Sequence, residues 1–373
     1  LGCLAKNGHN LIGVDVIKSK VELISKGFPT IIEKNIDKII KESWEKGLIR
    51  ATSDFKDAVI SSDVSFICVG TPSSVKGELN LEHVIKTSEE IGEGLRSKTT
   101  FHVIVIRSTV PPGTNKIVGE IIENSSGKSL NKDFAIVSNP EFLREGTAVY
   151  DYFNPAITVI ASQNIDALKI MKELYKEISD TIVETKIEVA ELIKYVNNSF
   201  HALKITFANE VGNICKALNI DSHEVMNLFI KDKQLNISSY YLKPGFAYGG
   251  SCLPKDLKAL ESFSYNNYIK TPLLESIDRS NDYQKDIAFK LIERTGLKRV
   301  GIIGLSFKMG TDDLRNSPIV EVAERLIGKG YTLRIYDESI NLSEIVGTNR
   351  EYMIRTIPHL SELFLESIQE LIN

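Results

Sequence analysis

The sequence predicts an α/β protein with two doubly wound parallel sheets joined by a helical region. Short apolar segments alternate with helical stretches near both ends of the chain, a pattern typical of parallel sheets covered by helices on both faces. Between these regions, the pattern turns helical from Ile187 to about Lys231. Within it, apolar residues recur at three and four positions and fit one long amphipathic helix, namely Ala190, Ile193, Val196, Phe200 and Leu203. We therefore predict a Rossmann-like domain at 1–186, a helical domain at 187–285 and a second Rossmann-like domain at 286–373.

The first domain contains four predicted strands and the helices that connect them. The strands are 11–16, 64–69, 103–106 and 134–137, and the clearest helices are 18–26 and 81–95. Polar residues stand at the ends of these strands, namely Asp15, Thr71, Thr109 and Glu141. Because ligands of parallel sheets bind beyond the carboxyl ends of the strands, we expect these side chains to line a binding site. For Asp15, a turn residue is an alternative of equal weight.

The last domain repeats this plan with a strand from Arg299, a helix at 318–328 and a strand at 332–336. Only two strands are predicted there before the chain stops. At the other end, the chain starts within a helix, whereas a dinucleotide-binding unit begins with a strand and a Gly-rich turn. We therefore expect both terminal domains to be truncated, with the phosphate-binding Gly-rich loop missing from the first.

The composition is that of a globular protein, with 42% hydrophobic and 25% charged residues. A net charge of −4 provides no basic surface for nucleic acid or for an anionic membrane. The four cysteines show no Cys-x-x-Cys spacing, which indicates free thiols in a reducing compartment. Since there is also no signal peptide and no apolar run long enough to span a bilayer, we expect a cytoplasmic protein.

The segment 244–256 carries the most specific chemical signal, Pro-Gly-Phe-Ala-Tyr-Gly-Gly-Ser-Cys-Leu-Pro-Lys-Asp. Cys252 follows a glycine-rich turn, in which the backbone can approach a ligand closely. An ammonium group three residues later, on Lys255, favours the thiolate form of this cysteine and therefore its nucleophilicity. A buried, inert cysteine is the alternative, but the neighbouring residues favour a nucleophile.

Further motifs occur in order along the chain. They are Ser-Asp-Val-Ser-Phe-Ile-Cys-Val-Gly-Thr-Pro-Ser at 62–73, Arg-Ser-Thr-Val at 107–110, Asn-Pro-Glu-Phe-Leu-Arg-Glu at 139–145, Lys-Tyr-Val-Asn-Asn at 194–198, and Gly-Leu-Ser-Phe-Lys-Met-Gly-Thr-Asp-Asp-Leu-Arg at 304–315. With the cysteine segment, they make the chain resemble the UDP-glucose/GDP-mannose dehydrogenase family over its whole length. The resemblance implies an NAD-dependent enzyme that oxidises the primary alcohol of a nucleotide sugar to a carboxylate. It also implies NAD-binding, helical dimerisation and nucleotide-sugar-binding domains in that order, and hence a homodimer.

Within the family, the resemblance favours the members that convert GDP-mannose to GDP-mannuronate. The features that favour them are His201 and the segment 235–250, Leu-Asn-Ile-Ser-Ser-Tyr-Tyr-Leu-Lys-Pro-Gly-Phe-Ala-Tyr-Gly-Gly. Lys243 departs from the arginine expected there, which weakens a bidentate contact with phosphate. The alternatives are a UDP-glucose or UDP-N-acetylhexosamine dehydrogenase, and a catalytically inactive subunit that binds a nucleotide sugar.

The resemblance also implies a mechanism. Cys252 would add to the intermediate aldehyde as a thiohemiacetal, which the second oxidation converts to a thioester. Lys194 and Asn198 lie four residues apart, so one helix presents both to the reacting oxygen. Lys194 would stabilise the oxyanion that develops on this oxygen.

Hydrolysis of the thioester needs a positioned water molecule. The candidates to hold and deprotonate this water are Thr109, Glu141 and Asp256, and we favour Glu141 with Thr109. Asp256 is expected to have an orienting role, and the alternative for Asp256 is a helix N-cap.

The binding residues are likewise implied by the resemblance. Those expected to contact NAD are Asp15, Lys20, Thr71, Thr109, Glu145, Lys255 and Arg315. Those expected to contact the nucleotide sugar are Glu141, Lys194, Asn198, His201, Asn236, Tyr240, Tyr241, Lys243, Phe246, Gly249 and Lys308. No metal site is predicted.

Overall fold

The computed structural model divides the chain into two compact units, Leu1–Phe200 and His201–Asn373. The structure describes residues 1–72, 79–144, 146–178, 181–238, 245–250, 253–307, 314–338, 340, 352–353, 355 and 357–372, with the backbone alone at 255, 256 and 259. The boundary between the two units lies inside a long helix. The division into three domains at 1–186, 187–285 and 286–373 therefore remains a prediction.

Short parallel strands form the sheets of the first unit. The strands are β1 (Leu11–Val14), β2 (Ile49–Thr52), β3 (Val64–Ile67), β4 (His102–Ile106), β5 (Phe134–Ser138), β6 (Thr158–Ile160) and β7 (Ile182–Glu184). The hydrogen-bonded orders are β1-β2, β3-β4-β5 and β6-β7, and every pairing is parallel. The carboxyl ends of paired strands therefore lie at the same edge, as the alternation of strands and helices predicted.

Helices cover both faces of the sheet formed by β3, β4 and β5. The helices of this unit are α1 (Gly2–Lys6), α2 (Lys18–Ser25), α3 (Ile36–Glu45), α4 (Phe55–Ile60), α5 (Glu82–Leu95), α6 (Thr114–Ser126), α7 (Ala148–Phe153) and α8 (Ile165–Tyr175). In β4, Ile104 and Ile106 pack with α5 and α6, whereas Val103 and Val105 pack with α8. Because successive side chains point to opposite faces, a strand covered on both sides is apolar on both faces over most of its length.

A single helix, α9 (Ile187–Ala217), runs from the first unit into the second. Its 31 residues confirm the long amphipathic helix that the apolar period predicted. Near its start, Ala190 is fully buried against Val159 and Ala161, beside β6. This packing holds the first turns of α9 against the first unit.

In its described residues, the second unit is mainly helical, with one pair of parallel strands. Its elements after α9 are α10 (Ser222–Phe229), α11 (Leu253–Asn266), α12 (Pro272–Arg294), β8 (Arg299–Ile303), α13 (Pro318–Gly328), β9 (Thr332–Tyr336), α14 (Pro358–Ser361) and α15 (Ile368–Ile372). The strand, helix and strand predicted from Arg299 onward are therefore confirmed as β8, α13 and β9. Within the described residues, no helix combines the length and the apolar character needed to cross a membrane.

Candidate active site

The carboxyl ends of β3 and β4 are joined by hydrogen bonds between the segments that follow them. The Thr71 hydroxyl donates to the carbonyl oxygen of Thr109 at 2.9 Å. The Ser108 hydroxyl donates to the carbonyl oxygen of Val69 at 2.7 Å. Two of the predicted site residues, Thr71 and Thr109, are therefore in direct contact at the edge where a parallel sheet binds its ligands.

A second set of polar contacts joins the segments that follow β4 and β5. Nη1 of Arg107 donates to Oδ1 of Asn139 at 2.8 Å and to the Tyr175 hydroxyl at 3.1 Å. The Tyr175 hydroxyl in turn donates to the same Asn139 oxygen at 2.7 Å. Burial raises the pKa of Tyr175, so the phenol remains a neutral donor. These bonds hold the backbone that leads to Thr109 beside the backbone that leads to Glu141.

The predicted residues Glu141 and Lys194 form an ion pair. Nζ of Lys194 lies 2.9 Å from Oε1 of Glu141, and the lysine is 8% exposed. Oε2 of Glu141 accepts a hydrogen bond from the backbone N–H of Leu143 at 2.6 Å, which fixes the orientation of the carboxylate. The ring of Phe142 lies 5.6 Å from the same ammonium, within the range of a cation–π contact. An ammonium held in this way can still donate two hydrogen bonds to an incoming oxygen.

A cavity of about 280 Å³ lies beyond the carboxyl ends of β1 and β2 and is lined by Asp15 and Lys20. Oδ1 of Asp15 accepts the N–H of Ile17 at 2.8 Å, and Oδ2 lies 3.4 Å from Nζ of Lys20. Apolar side chains, among them Ile31 and Ile36, form other walls. A carboxylate that follows a strand of a dinucleotide-binding sheet can bond a ribose hydroxyl, and apolar walls suit a base. These residues therefore fit the adenosine end of NAD.

Two predicted residues lie further along α9, one in each unit. Asn198, one turn beyond Lys194, is exposed in the first unit, and His201 is exposed in the second. Asn236, also in the second unit, donates its side-chain N–H to the carbonyl oxygen of Phe229 at 3.1 Å. This contact gives Asn236 a local role at the end of α10 that the sequence did not indicate.

The glycine turn before the cysteine packs against the residues that lead into α13. A β-carbon built on Gly249 would lie 2.3 Å from the carbonyl oxygen of Asn316 and 2.6 Å from Cδ of Pro318. Nδ2 of Asn316 donates to the carbonyl oxygen of Gly250 at 3.2 Å. Position 249 therefore requires glycine, because the backbone there lies too close to Asn316 and Pro318 to carry a side chain. Phe246, four residues earlier than Gly250, is exposed.

Several of the predicted site residues lie outside the described part of the chain. They are Cys252, Glu145, Tyr240, Tyr241, Lys243 and Lys308, together with the side chains of Lys255 and Asp256. The backbone nevertheless corrects one expectation, because α11 begins at Leu253 and Asp256 is therefore inside the helix. The N-cap alternative for Asp256 was wrong. Arg315 is half-buried just before α13.

One buried carboxylate near the site was not singled out from the sequence. Glu191 is 3% exposed, one turn before Lys194 on α9, and it accepts hydrogen bonds from Gly113 and Asn115. The sequence pattern that could have identified Glu191 is an acidic residue on the apolar face of an amphipathic helix, three positions before a predicted catalytic lysine. Among the described residues, no group of three His, Cys, Asp or Glu side chains could hold a metal ion.

Three family models match the chain in succession. They describe the NAD-binding domain of the UDP-glucose/GDP-mannose dehydrogenase family at residues 1–179, its central domain at 188–283 and its UDP-binding domain at 301–367. The chain belongs to the UDP-glucose/GDP-mannose dehydrogenase family, a class of NAD-dependent nucleotide-sugar dehydrogenases. The predictions of the family, the α/β fold and NAD as cofactor are confirmed.

Individual relatives are similar over most of the chain. The GDP-mannose 6-dehydrogenase of Pseudomonas putida is 49% identical over all of this chain and 85% of its own length. A UDP-glucose 6-dehydrogenase of Bacillus subtilis is 34% identical over 90% of this chain and 75% of its own. Among solved structures, a ternary complex of GDP-mannose dehydrogenase from Pseudomonas aeruginosa has a TM-score of 0.97 at 47% identity, covering 100% of this chain and 85% of that one. For the UDP-glucose dehydrogenase of Pyrobaculum islandicum, which covers 100% of this chain and 84% of that one, the TM-score is 0.61 at 33% identity.

Proposed function

We propose that this protein oxidises the C6 alcohol of GDP-mannose to the carboxylate, giving GDP-mannuronate. The observation that carries this choice of substrate is that the GDP-mannose 6-dehydrogenases compared above share more of their residues with this chain than the UDP-glucose enzyme does. His201 and the segment 235–250 favour the same substrate by resemblance.

The proposed chemistry divides a four-electron oxidation into two steps. NAD⁺, when bound, accepts two electrons as hydride in each step. Between the steps, the Cys252 thiolate forms a bond to the aldehyde carbon, and the carbonyl oxygen gains the negative charge. Lys194 donates a hydrogen bond to this oxygen, a role that its buried, oriented ammonium supports.

The acid is released by water. Water attacks the thioester carbon, the carbon–sulfur bond breaks, and Cys252 leaves as a thiolate. Glu141, assisted by Thr109, holds this water and takes its proton, since each carboxylate oxygen retains acceptor capacity beside its present hydrogen bond. Asp256 and Asn198 orient the reacting groups in this proposal.

The remaining residues of the proposed site bind NAD or the nucleotide sugar. Asp15 and Lys20 hold the adenosine end of NAD, which the cavity at β1 and β2 supports. The other proposed NAD contacts are Thr71, Thr109, Glu145, Lys255 and Arg315, and the other proposed contacts to the nucleotide sugar are His201, Asn236, Tyr240, Tyr241, Lys243, Phe246, Gly249 and Lys308.

The protein is further proposed to be a cytoplasmic homodimer joined through its helical region. In the second unit, large apolar side chains of α9 and α10 are exposed, such as Leu203, Ile205 and Leu228. Exposed apolar surface of this kind is typical of protein interfaces. Sedimentation velocity at micromolar concentration should give the mass of two chains, and a single-chain mass at every concentration would contradict the dimer.

The deciding experiment measures the NADH formed per molecule of limiting GDP-mannose, with UDP-glucose in parallel, on the full-length protein. About two NADH from GDP-mannose alone are expected, because the oxidation removes four electrons. The same yield from UDP-glucose instead would replace the substrate and keep the mechanism. No NADH from either sugar would favour a UDP-N-acetylhexosamine dehydrogenase or an inactive binding subunit. The variant Cys252→Ser should lose turnover and still bind the nucleotide sugar.

A further inference from the structure

We propose that Glu191 is a positioning residue for Lys194, acting through the N-terminus of helix α6. The inference rests on the proposed function, in which Lys194 touches the reacting oxygen. Glu191 itself contacts backbone and amide groups of the protein, so its effect on the reaction is indirect.

The carboxylate of Glu191 caps a helix that has no cap of its own. Helix α6 is preceded by Gly113, which has no side chain to accept from the first N–H groups of the helix. Oε2 of Glu191 accepts the N–H of Gly113 at 2.7 Å, and Oε1 accepts the backbone N–H of Asn115 at 2.8 Å and its side-chain N–H at 2.6 Å. A buried anion at a helix N-terminus is stabilised by these N–H groups and by the helix dipole.

This cap connects two parts of the candidate site. Helix α6 follows the segment that begins at Thr109, and the Thr114 hydroxyl anchors its start by donating to the carbonyl oxygen of Pro111 at 2.7 Å. On α9, Glu191 lies one turn before Lys194. The cap therefore sets the distance between the helix that carries Lys194 and the segment that carries Thr109.

Besides the ion pair of Lys194 with Glu141, this part of α9 is held by apolar packing, which is less directional. Ala190 packs against Val159 and Ala161, and apolar packing of small side chains restricts sliding along the helix axis less than three hydrogen bonds do. Lys194 must keep its ammonium 2.9 Å from Glu141 while it meets the substrate. Displacements near 1 Å in an active site can lower a rate by about a hundredfold.

The same helix provides a matched control. Glu210 is 5% exposed and accepts the N–H groups of Leu273 at 2.8 Å and Leu274 at 3.1 Å, at the start of α12. Like Gly113, the N-cap residue Thr271 makes no side-chain cap bond to its helix. Glu191 and Glu210 are thus two buried carboxylates on α9 that cap other helices, and Glu210 lies four turns beyond Lys194.

The test compares Glu191→Gln with Glu210→Gln in the full-length enzyme, by Tm, kcat and the KM values of NAD⁺ and the nucleotide sugar. A glutamine retains the size of the side chain and turns an N–H₂ toward donors, so both variants should lose thermal stability. Glu191→Gln should lower kcat by about tenfold or more and change the KM of NAD⁺ much less, because the spacing between Lys194 and the Thr109 segment changes while the cavity proposed for the adenosine end of NAD is untouched. Glu210→Gln should keep kcat within about twofold.

Equal kcat losses in the two variants, or a wild-type kcat in Glu191→Gln, would overturn the proposal. If Glu191→Gln fails to fold, Glu191→Asp replaces it, since the charge is kept and the carboxylate is withdrawn by one methylene. A wild-type kcat in Glu191→Asp would likewise overturn the proposal. Failure of the proposed function can be told apart from failure of the Glu191 proposal, because in the first case the wild-type enzyme itself does not oxidise GDP-mannose. The comparison would be made with whichever nucleotide sugar it does oxidise.

Discussion

Nζ of Lys194 lies 2.9 Å from Oε1 of Glu141, although 52 residues separate them in the chain. The lysine is buried on α9 and the glutamate follows β5, so the pair connects a helix with the edge of a sheet. A buried ammonium without a partner is costly, whereas this one is neutralised and oriented. The ion pair fixes the position of the Lys194 Nζ beside Glu141, and in the proposed mechanism this nitrogen meets the developing oxyanion.

Removing the ammonium should therefore abolish most of the activity. Lys194→Met is expected to lower kcat by about a hundredfold or more, since one oriented donor to an oxyanion contributes that much. Lys186→Met is the control, because Lys186 is exposed just before the same helix and should leave kcat unchanged. Steady-state kinetics measure both, and a Lys194→Met enzyme with more than a tenth of the wild-type kcat would refute the proposed role.

Asp15 should determine the preference for NAD⁺ over NADP⁺. Asp15→Ala removes the hydrogen-bond acceptor for the ribose hydroxyls and leaves Lys20, 3.4 Å from the lost carboxylate, able to contact a 2′-phosphate. We expect NAD⁺ to bind about tenfold more weakly and NADP⁺ more tightly. Calorimetric titration of the two cofactors checks this, without turnover.

Two variants test the Asp15 argument further. In Asp15→Ala/Lys20→Met, the gain in NADP⁺ affinity should disappear, because the cation that meets the phosphate is gone. Glu22→Gln, an exposed acidic residue on α2, should behave like the wild type. If Asp15→Ala binds NADP⁺ no better than the wild type does, Asp15 is not the residue that excludes it.

Gly249 should not tolerate a methyl group. The β-carbon of Gly249→Ala would lie 2.3 Å from a backbone carbonyl oxygen of Asn316, which cannot rotate away, so the turn before Cys252 must shift. We expect a loss of about 1–3 kcal/mol in the free energy of unfolding and a clear fall in kcat. Gly245→Ala is the matched control, because no described residue beyond its two chain neighbours has an atom within 4 Å of its β-carbon. Equal behaviour of the two variants in urea unfolding and kinetics would contradict this prediction.

His102 should make the stability of the protein depend on pH. Burial, together with the charge of Lys98, lowers the pKa of His102 to about 4, whereas an exposed histidine titrates near 6.5. Between these values the unfolded chain binds a proton that the folded protein does not. The free energy of unfolding should therefore fall as the pH drops through this window, by about 2 kcal/mol from pH 7.5 to pH 5.

The difference between two histidine variants isolates this contribution. His102→Gln has no charge to gain and should show a smaller loss of stability between pH 7.5 and pH 5 than the wild type does. His83→Gln, which changes an exposed histidine on α5, should keep the wild-type slope. Urea unfolding at the two pH values measures the slopes, and identical slopes in all three proteins would rule out His102 as the source.

The strands that the sequence predicted well are those buried on both faces. Residues 103–106 of β4 and 134–137 of β5 are continuous apolar runs because α5, α6 and α8 cover both sides of these strands. β2 was not predicted, since Ile-Arg-Ala-Thr at 49–52 is short and partly polar and becomes a strand through its pairing with β1. β6 and β7, with three residues each, likewise depend on their partners.

The sequence by itself determined the family, the alternation of strands and helices, the long helix α9 and the residue types of the candidate site. These are local or compositional properties: hydrophobic period, strand-ending polar residues and motifs read within a few positions. Only the tertiary structure decided that Lys194 is paired with Glu141, that Gly249 is confined by Asn316, and that Glu191 caps α6. Each of these contacts joins residues more than fifty positions apart, and a pattern within a short window has no information on which distant groups the packing of helices against sheets brings together.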